Sequence, residues 1–273
     1  MKAKIVYFSH GGGPLPLLGD PSHRAMIRFM KQLGNVLPRP KSIVVVSAHW
    51  EEEKPTLIAS PTPWLLYDYY GFPKEAYEIT YPALGNPDLA KSIATLLGDA
   101  VLSETRGFDH GMFIPLSLMY PEASIPTIQL SLLSSLSAAD HWNLGEKLRP
   151  LLDEDILFIG SGFSFHNIRQ FWKGDDEQNN AFQNFLIDTC STDKPIESRK
   201  QALIHWENAP YARYCHPREE HLLPLLVCQS LAQGTAELIF DDKILERRAV
   251  AFFCEFDGPR ADRKVVCTLL ADG

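Results

Sequence analysis

Residues 43–50 read IVVVSAHW, and this stretch decides for a buried sheet. Four consecutive β-branched apolar residues fit a strand covered on both faces, because such side chains pack well on a pleated surface. The chain then turns small and polar, and His49 and Trp50 stand where the strand should be leaving the core. Working outward, KIVYFS (4–9), TIQLSLL (127–133) and ILFIGSG (156–162) repeat the pattern. Helical spacing lies between them, in HRAMIRFMKQL (23–33), DLAKSIATLLG (88–98), part of MFIPLSLMY (112–120) and SAADHWNLGEKLRPLL (137–152). Further helices are expected at about 176–190 and 195–204. HPREEHLLPLLVCQSLA (216–232) reads as one helix with Pro217 in its first turn, kinked or irregular near Pro224. Strands alternating with helices make an α/β fold around a mixed sheet flanked by helices. The sheet is mixed because AELIFDD (236–242), RRAVAFFCEF (247–256) and KVVCTLL (264–270) close the chain as terminal strands. No linker or repeat interrupts the 273 residues, so one domain over 1–273 is expected.

Bulk properties narrow the function. A net charge of −8 with no long basic run argues against a nucleic-acid or anionic-membrane partner. No apolar run approaches the roughly 18 residues of a membrane helix, and the apolar run near the start is too short for a signal peptide. The five cysteines form no CxxC and are odd in number, which suits reduced thiols in a cytoplasmic protein. Oligomeric state leaves no mark on the pattern.

The histidines carry the chemistry. His10 ends KIVYFSH, His49 ends IVVVSAH, and His166 follows ILFIGSGFSFH. Ligands of open α/β sheets gather outside the carboxyl ends of the strands, so neighbouring parallel strands would bring these imidazoles to one edge. For each alone, a strand-end histidine bonded to backbone is the ordinary alternative. His221 in HPREEH is a further candidate, placed about one turn inside the expected helix beside Glu219 and Glu220. Imidazoles suit Zn, Fe or Cu, but no local metal spacing such as HExxH is present, so a ligand set must be assembled from distant segments. His110 sits in RGFDHGMF; on that segment alone, a helix cap by Asp109 with a solvated imidazole is the ordinary reading. His216 reads as a cap or a group behind the site, and His23, His141 and His205 as surface or core-edge residues. SHGGGP (9–14) lacks the spacing of a phosphate loop, and GSGFS lacks that of a nucleophile elbow. The segment 61–87 is long, irregular and rich in aromatics, which marks a functional loop; Trp64, Tyr69, Tyr70 and Phe72 are its candidates for a substrate wall.

Six segments together resemble the class III extradiol ring-cleaving dioxygenases, in particular the 4,5-DOPA dioxygenase branch. They are SHGGGP, PKSIVVVSAHW (40–50), YDYYGFPKEAYEITYPALGNP (67–87), RGFDHGMFIPLSLMYPEASIPTIQLS (106–131), GSGFSFHN (160–167) and HPREEHLLPLL (216–226). They stand in the family's order and cover most of residues 8–227. The resemblance implies a single α/β domain with a metal site at the carboxyl ends of its strands. It makes His10, His49 and His221 metal ligands and His166 the acid/base histidine, which can also reach the metal when substrate is absent. It makes His110 a histidine that hydrogen-bonds substrate or oxygen. The wider superfamily uses two histidines and a glutamate, which leaves Glu219 or Glu220 as a rival to His221. The implied cofactor is one divalent metal per chain, Fe(II) for activity, with Zn possible in purified protein. The implied partners are a small catechol and O2, giving a ring-opened semialdehyde. A zinc hydrolase using the same histidines, and a non-enzymatic metal-binding signalling relative, are the competing classes.

Overall fold

A computed structural model describes residues 2–174 and 176–256. Its eight strands are β1 (Lys4–Ser9), β2 (Ser42–Glu52), β3 (Thr56–Ile58), β4 (Val101–Ser103), β5 (Thr127–Leu133), β6 (Ile156–Gly162), β7 (Gln233–Ile244) and β8 (Arg247–Phe256). They form one sheet in the order β4-β3-β5-β2-β6-β1-β8-β7. The helices are α1 (Arg24–Val36), α2 (Pro87–Leu97), α3 (His110–Met119), α4 (Ala138–Leu148), α5 (Glu177–Ser191), α6 (Ile196–Ile204), α7 (Ala212–Cys215) and α8 (Leu223–Ala232). No described helix is long and apolar enough to cross a membrane. The strand expected at 264–270, with Cys267, lies outside the described residues.

The sheet is mixed. β5, β2, β6 and β1 run parallel as neighbours, while β8 joins β1 antiparallel and pairs with β7 as a hairpin. Ile5, Val6, Tyr7, Ile43, Val44, Val45, Leu157 and Ile159 are buried. Burial on both faces is why these strands are written as unbroken apolar runs rather than as alternations. The order β2-β6-β1 sets three of the histidine-bearing strands side by side.

Three expectations are corrected. First, β2 does not end before His49; it runs on to Glu52, and its pairing with β5 shifts register between Val46 and Glu51. Such an irregularity re-aims side chains, and His49 sits inside it. Secondly, α8 begins at Leu223 rather than at 216, with Pro224 rather than Pro217 in its first turn. Pro224 lacks an N–H and its ring would clash with the carbonyl of Glu220, so the helix cannot extend upstream, and His221 lies in the turn before it. Thirdly, His23 and His141 are fully buried instead of lying at the surface or core edge. His141 accepts from the Leu133 N–H at 3.0 Å and faces the Ser137 carbonyl at 2.8 Å, tying α4 to β5. The three-residue strands β3 and β4 were not foreseen.

Candidate metal centre

His10 is the first residue beyond β1, held by its N–H donating to the Gly162 carbonyl at 3.0 Å. The turn after it is not a phosphate cradle. Gly11 has φ +88°, and a Cβ there would lie 2.9 Å from the His23 ring, so both its conformation and its neighbour require glycine. His23 in turn accepts the Gly12 N–H at 3.0 Å, with its Nδ1 3.0 Å from Asp20 Oδ1. His221 is anchored through its carbonyl, which accepts from Phe163 N–H at 3.0 Å and Tyr7 O–H at 3.3 Å. A Cβ on Gly162 would fall 2.1 Å from that carbonyl. The glycines of GSG therefore let the turn carrying His221 lie directly on β6. Gly162→Ala should displace His221 and weaken zinc binding at least tenfold, read by titration of the purified variant. Unchanged affinity would show that the turn does not need this contact.

These three elements bring three nitrogens together. His49 Nε2 is 3.1 Å from His10 Nε2 and 3.3 Å from His221 Nε2. Two ligands each about 2.1 Å from one ion, at angles between octahedral and tetrahedral, are about 3.0–3.4 Å apart. His221 Nδ1 faces Glu220 Oε1 at 2.8 Å, and His49 Nδ1 faces Asp68 Oδ2 at 3.6 Å. With its Nδ1 proton on Glu220, His221 points its Nε2 lone pair inward, and the charge of Asp68 favours the same form of His49. Lone pairs packed this closely repel, and a cation among them removes the repulsion. Burial, followed by the charges of neighbouring imidazoles, holds the pKa of His10, His49 and His221 well below the ordinary histidine value. Neutral imidazole is the form that binds metal. The donor set fits a divalent ion of the iron–zinc group.

Two more imidazoles flank the three. The His110 ring centroid is 3.9 Å from that of His49. Its Nδ1 lies 2.8 Å from Asp68 Oδ1, which also accepts the His110 backbone N–H at 3.0 Å. Burial opposes ionisation of Asp68, yet the hydrogen bond and charge of His110, then the charge of His49, hold its pKa down at about 2. His166 stacks on His221 with centroids 3.3 Å apart, and its Nδ1 is 3.1 Å from Glu220 Oε1. His166 thus groups with Glu220 and His221, whereas the three converging nitrogens belong to His10, His49 and His221.

The solvated reading of His110 is overturned, since the residue is buried. Asp109 precedes α3 but makes no side-chain cap. Its carboxylate instead accepts from Ser47 Oγ at 2.7 Å and from the Gln129 amide, beneath His49. Of the rival carboxylates, Glu219 points away to Arg213 at 2.6 Å, and Glu220 backs His221 and His166.

A match to the family described as the catalytic LigB subunit of aromatic ring-opening dioxygenase spans residues 9–246. The chain belongs to this family. It is 39% identical over 253 residues to dioxygenase tasH of Hapsidospora irregularis, covering 84% of this chain and 78% of that protein. It is 38% identical over 250 residues to a 4,5-DOPA dioxygenase extradiol of Portulaca grandiflora, covering 87% and 90% of the two chains. The Escherichia coli K12 protein of the same description is 37% identical over 228 residues, covering 81% of this chain and 82% of that protein. A crystal structure of an uncharacterized protein from Escherichia coli K12 superposes with a TM-score of 0.76 at 32% identity, covering 92% and 98% of the two chains. The chain is accordingly an extradiol aromatic ring-opening dioxygenase.

In this dioxygenase the aromatic candidates separate. Tyr69 is buried, donates to the Ala76 carbonyl at 2.6 Å and lies 5.7 Å from the His110 ring, with Phe72 packed edge-on behind it. Tyr70 is 92% exposed, and Trp64 is 55% exposed with its indole N–H on the Thr105 carbonyl. Phe163, which the sequence does not single out, lies 6.3 Å from His10 and 6.4 Å from His166. His216 belongs to the core, with Nε2 2.9 Å from the Ser164 carbonyl oxygen and its ring against Phe182 and Trp206. Burial above all pushes its pKa down to about 3. Below about pH 6.5 the unfolded chain takes up a proton that the folded one refuses until about 3. Stability is therefore complete above that range and lost as pH falls through it. Metal-free protein should show a lower denaturant midpoint at about pH 5 than at about pH 8, and equal midpoints would contradict a neutral buried His216.

Proposed function

We propose that this dioxygenase cleaves a catecholic ring, DOPA-like or related, beside its two hydroxyls with O2, giving a ring-opened semialdehyde. The observation that carries the reading is the convergence of His10, His49 and His221 Nε2, flanked by two imidazoles held by carboxylates. The catechol class follows the 4,5-DOPA dioxygenases to which the chain is similar. His10, His49 and His221 would hold one divalent metal. Fe(II) bound there supplies electron transfer to oxygen, which Zn lacks.

The remaining work falls to the chain. His49 is partly exposed while His10 and His221 are buried, so substrate and oxygen would reach the three imidazoles from the side of His49. Bringing both reactants to one centre makes their encounter effectively intramolecular. His166, with Nδ1 turned to Glu220, has Nε2 free to take a catechol hydroxyl proton and return it later. His110, with Nδ1 on Asp68, presents Nε2 as an acceptor when neutral and as a donor when protonated. Tyr69 and Phe163 give the site apolar edges that suit an aromatic ring. Trp64, Tyr70 and Phe72 stand farther out as candidates for the substrate's remaining groups. We place this catalytic domain, residues 1–273, in the cytoplasm, in keeping with its four described cysteines, all free and buried.

Anaerobic loading with Fe(II), followed by a catechol panel in air, tests the reading. Oxygen uptake matched mole for mole by a yellow ring-opened product is expected. Catechol turnover without oxygen uptake, as a zinc hydrolase would show, would overturn it.

A further inference from the structure

Asp68 and Glu220 occupy matching positions behind His49 and His221, two of the three residues whose nitrogens converge. Each carboxylate faces one imidazole of the converging set and one outside it. Glu220 Oε1 lies 2.8 Å from His221 Nδ1 and 3.1 Å from His166 Nδ1. Asp68 puts Oδ1 2.8 Å from His110 Nδ1 and Oδ2 3.6 Å from His49 Nδ1. A carboxylate only accepts, so the hydrogen bonds to His221 and His110 put a proton on Nδ1 and leave Nε2 bare, and the ion-pair contacts to His166 and His49 favour the same form through charge. Free neutral imidazole prefers the opposite tautomer, so the carboxylates reverse an intrinsic preference.

Both carboxylates are themselves held. Tyr67 and Tyr69, on either side of Asp68, donate to the carbonyls of Ile79 at 2.7 Å and Ala76 at 2.6 Å, pegging the irregular segment down. Arg218 Nη1 is 3.4 Å from Glu220 Oε2 and also grips Glu51 with two 2.6 Å bonds. Glu51 is two residues beyond His49 on β2. Arg218 thus straps the turn of His221 to the strand of His49 through a bidentate pair, the geometry in which Arg is strongest.

We propose that Asp68 and Glu220 are paired positioning residues, each setting the Nδ1–H tautomer of one metal-binding and one proton-handling imidazole. The roles of the imidazoles rest on the ring-cleavage reading; the tautomers do not. Neither carboxylate is a metal ligand in this arrangement, and the aromatic segment serves the site by delivering Asp68.

The test reads ring nitrogens rather than turnover. In zinc-saturated, 15N-histidine-labelled protein, His110 and His166 should both show the Nδ1–H form. Glu220→Ala should move His166 toward Nε2–H and leave His110 unchanged, and Asp68→Ala should do the reverse. General loosening of the site would move both together. Glu220→Gln and Asp68→Asn, which keep a carbonyl acceptor, should restore the wild-type pattern. Zinc affinity should fall 10–100-fold in the alanine variants and by a few-fold at most in the amides. Nε2–H at His110 or His166 in the wild type, or equal movement of both in either alanine variant, would overturn the proposal. Should an alanine variant fail to fold, the wild-type and amide spectra still decide. No oxygen or catechol enters these measurements, so failure of the ring-cleavage reading would show separately, as absent oxygen uptake.

Discussion

His49→Ala is expected to abolish metal retention. His49 Nε2 is the nitrogen closest to both other members of the set, at 3.1 Å from His10 and 3.3 Å from His221. Losing a residue behind a ligand costs 10–100-fold in affinity, and losing the ligand itself should cost more than about 100-fold. Dialysed variant should hold under about a tenth of the wild-type metal, a fraction set by that loss of affinity. The fold should survive, because His49 is partly exposed and sits in an irregular part of β2. Glu219→Gln is the matched control, since Glu219 is engaged with Arg213 on the surface and should leave metal content intact. Wild-type occupancy in the His49 variant would dissolve the proposed ligand set.

His166→Ala should separate metal binding from catalysis. Its Nδ1 is turned to Glu220, and it stacks on His221 without joining the three converging nitrogens. Metal content should therefore stay near wild type while kcat falls by about 10²–10⁴, the usual worth of a general acid–base group. KM should change little, because a proton acceptor contributes mainly to the transition state. Substantial metal loss would instead make His166 a ligand. Unchanged kcat would remove it from the proton path. The stack against His221 makes a unfolding control necessary, and the thermal midpoint of the metal-free variant supplies one.

The strands were legible because burial on both faces writes itself as continuous apolar runs, as in IVVV (43–46) and ILFI (156–159). The three-residue strands β3 and β4 were not, being too short to carry a period. Helix starts were legible where one periodic segment stood alone, as in DLAKSIATLLG, expected from 88 and observed from Pro87. They failed at 216–232, where two prolines competed: Pro224 bars the helix from running upstream, and the His221 turn packs on Gly162 instead. The histidines at strand ends stood out, since imidazoles beyond apolar runs are chemically conspicuous. Phe163 did not, because an aromatic beside a site and an aromatic in a core look alike in one dimension.

By itself, the sequence determined the α/β class and the mixed character of the sheet, which rest on local patterns of burial and spacing, and the family resemblance, which rests on the residues of six segments. Tertiary structure alone decided that Glu220 backs two imidazoles while Glu219 pairs with Arg213, and that Asp68 reaches His110. Adjacent residues of one type differ only in where the backbone turns them. That direction is set by contacts between segments far apart in the chain, which no local pattern records.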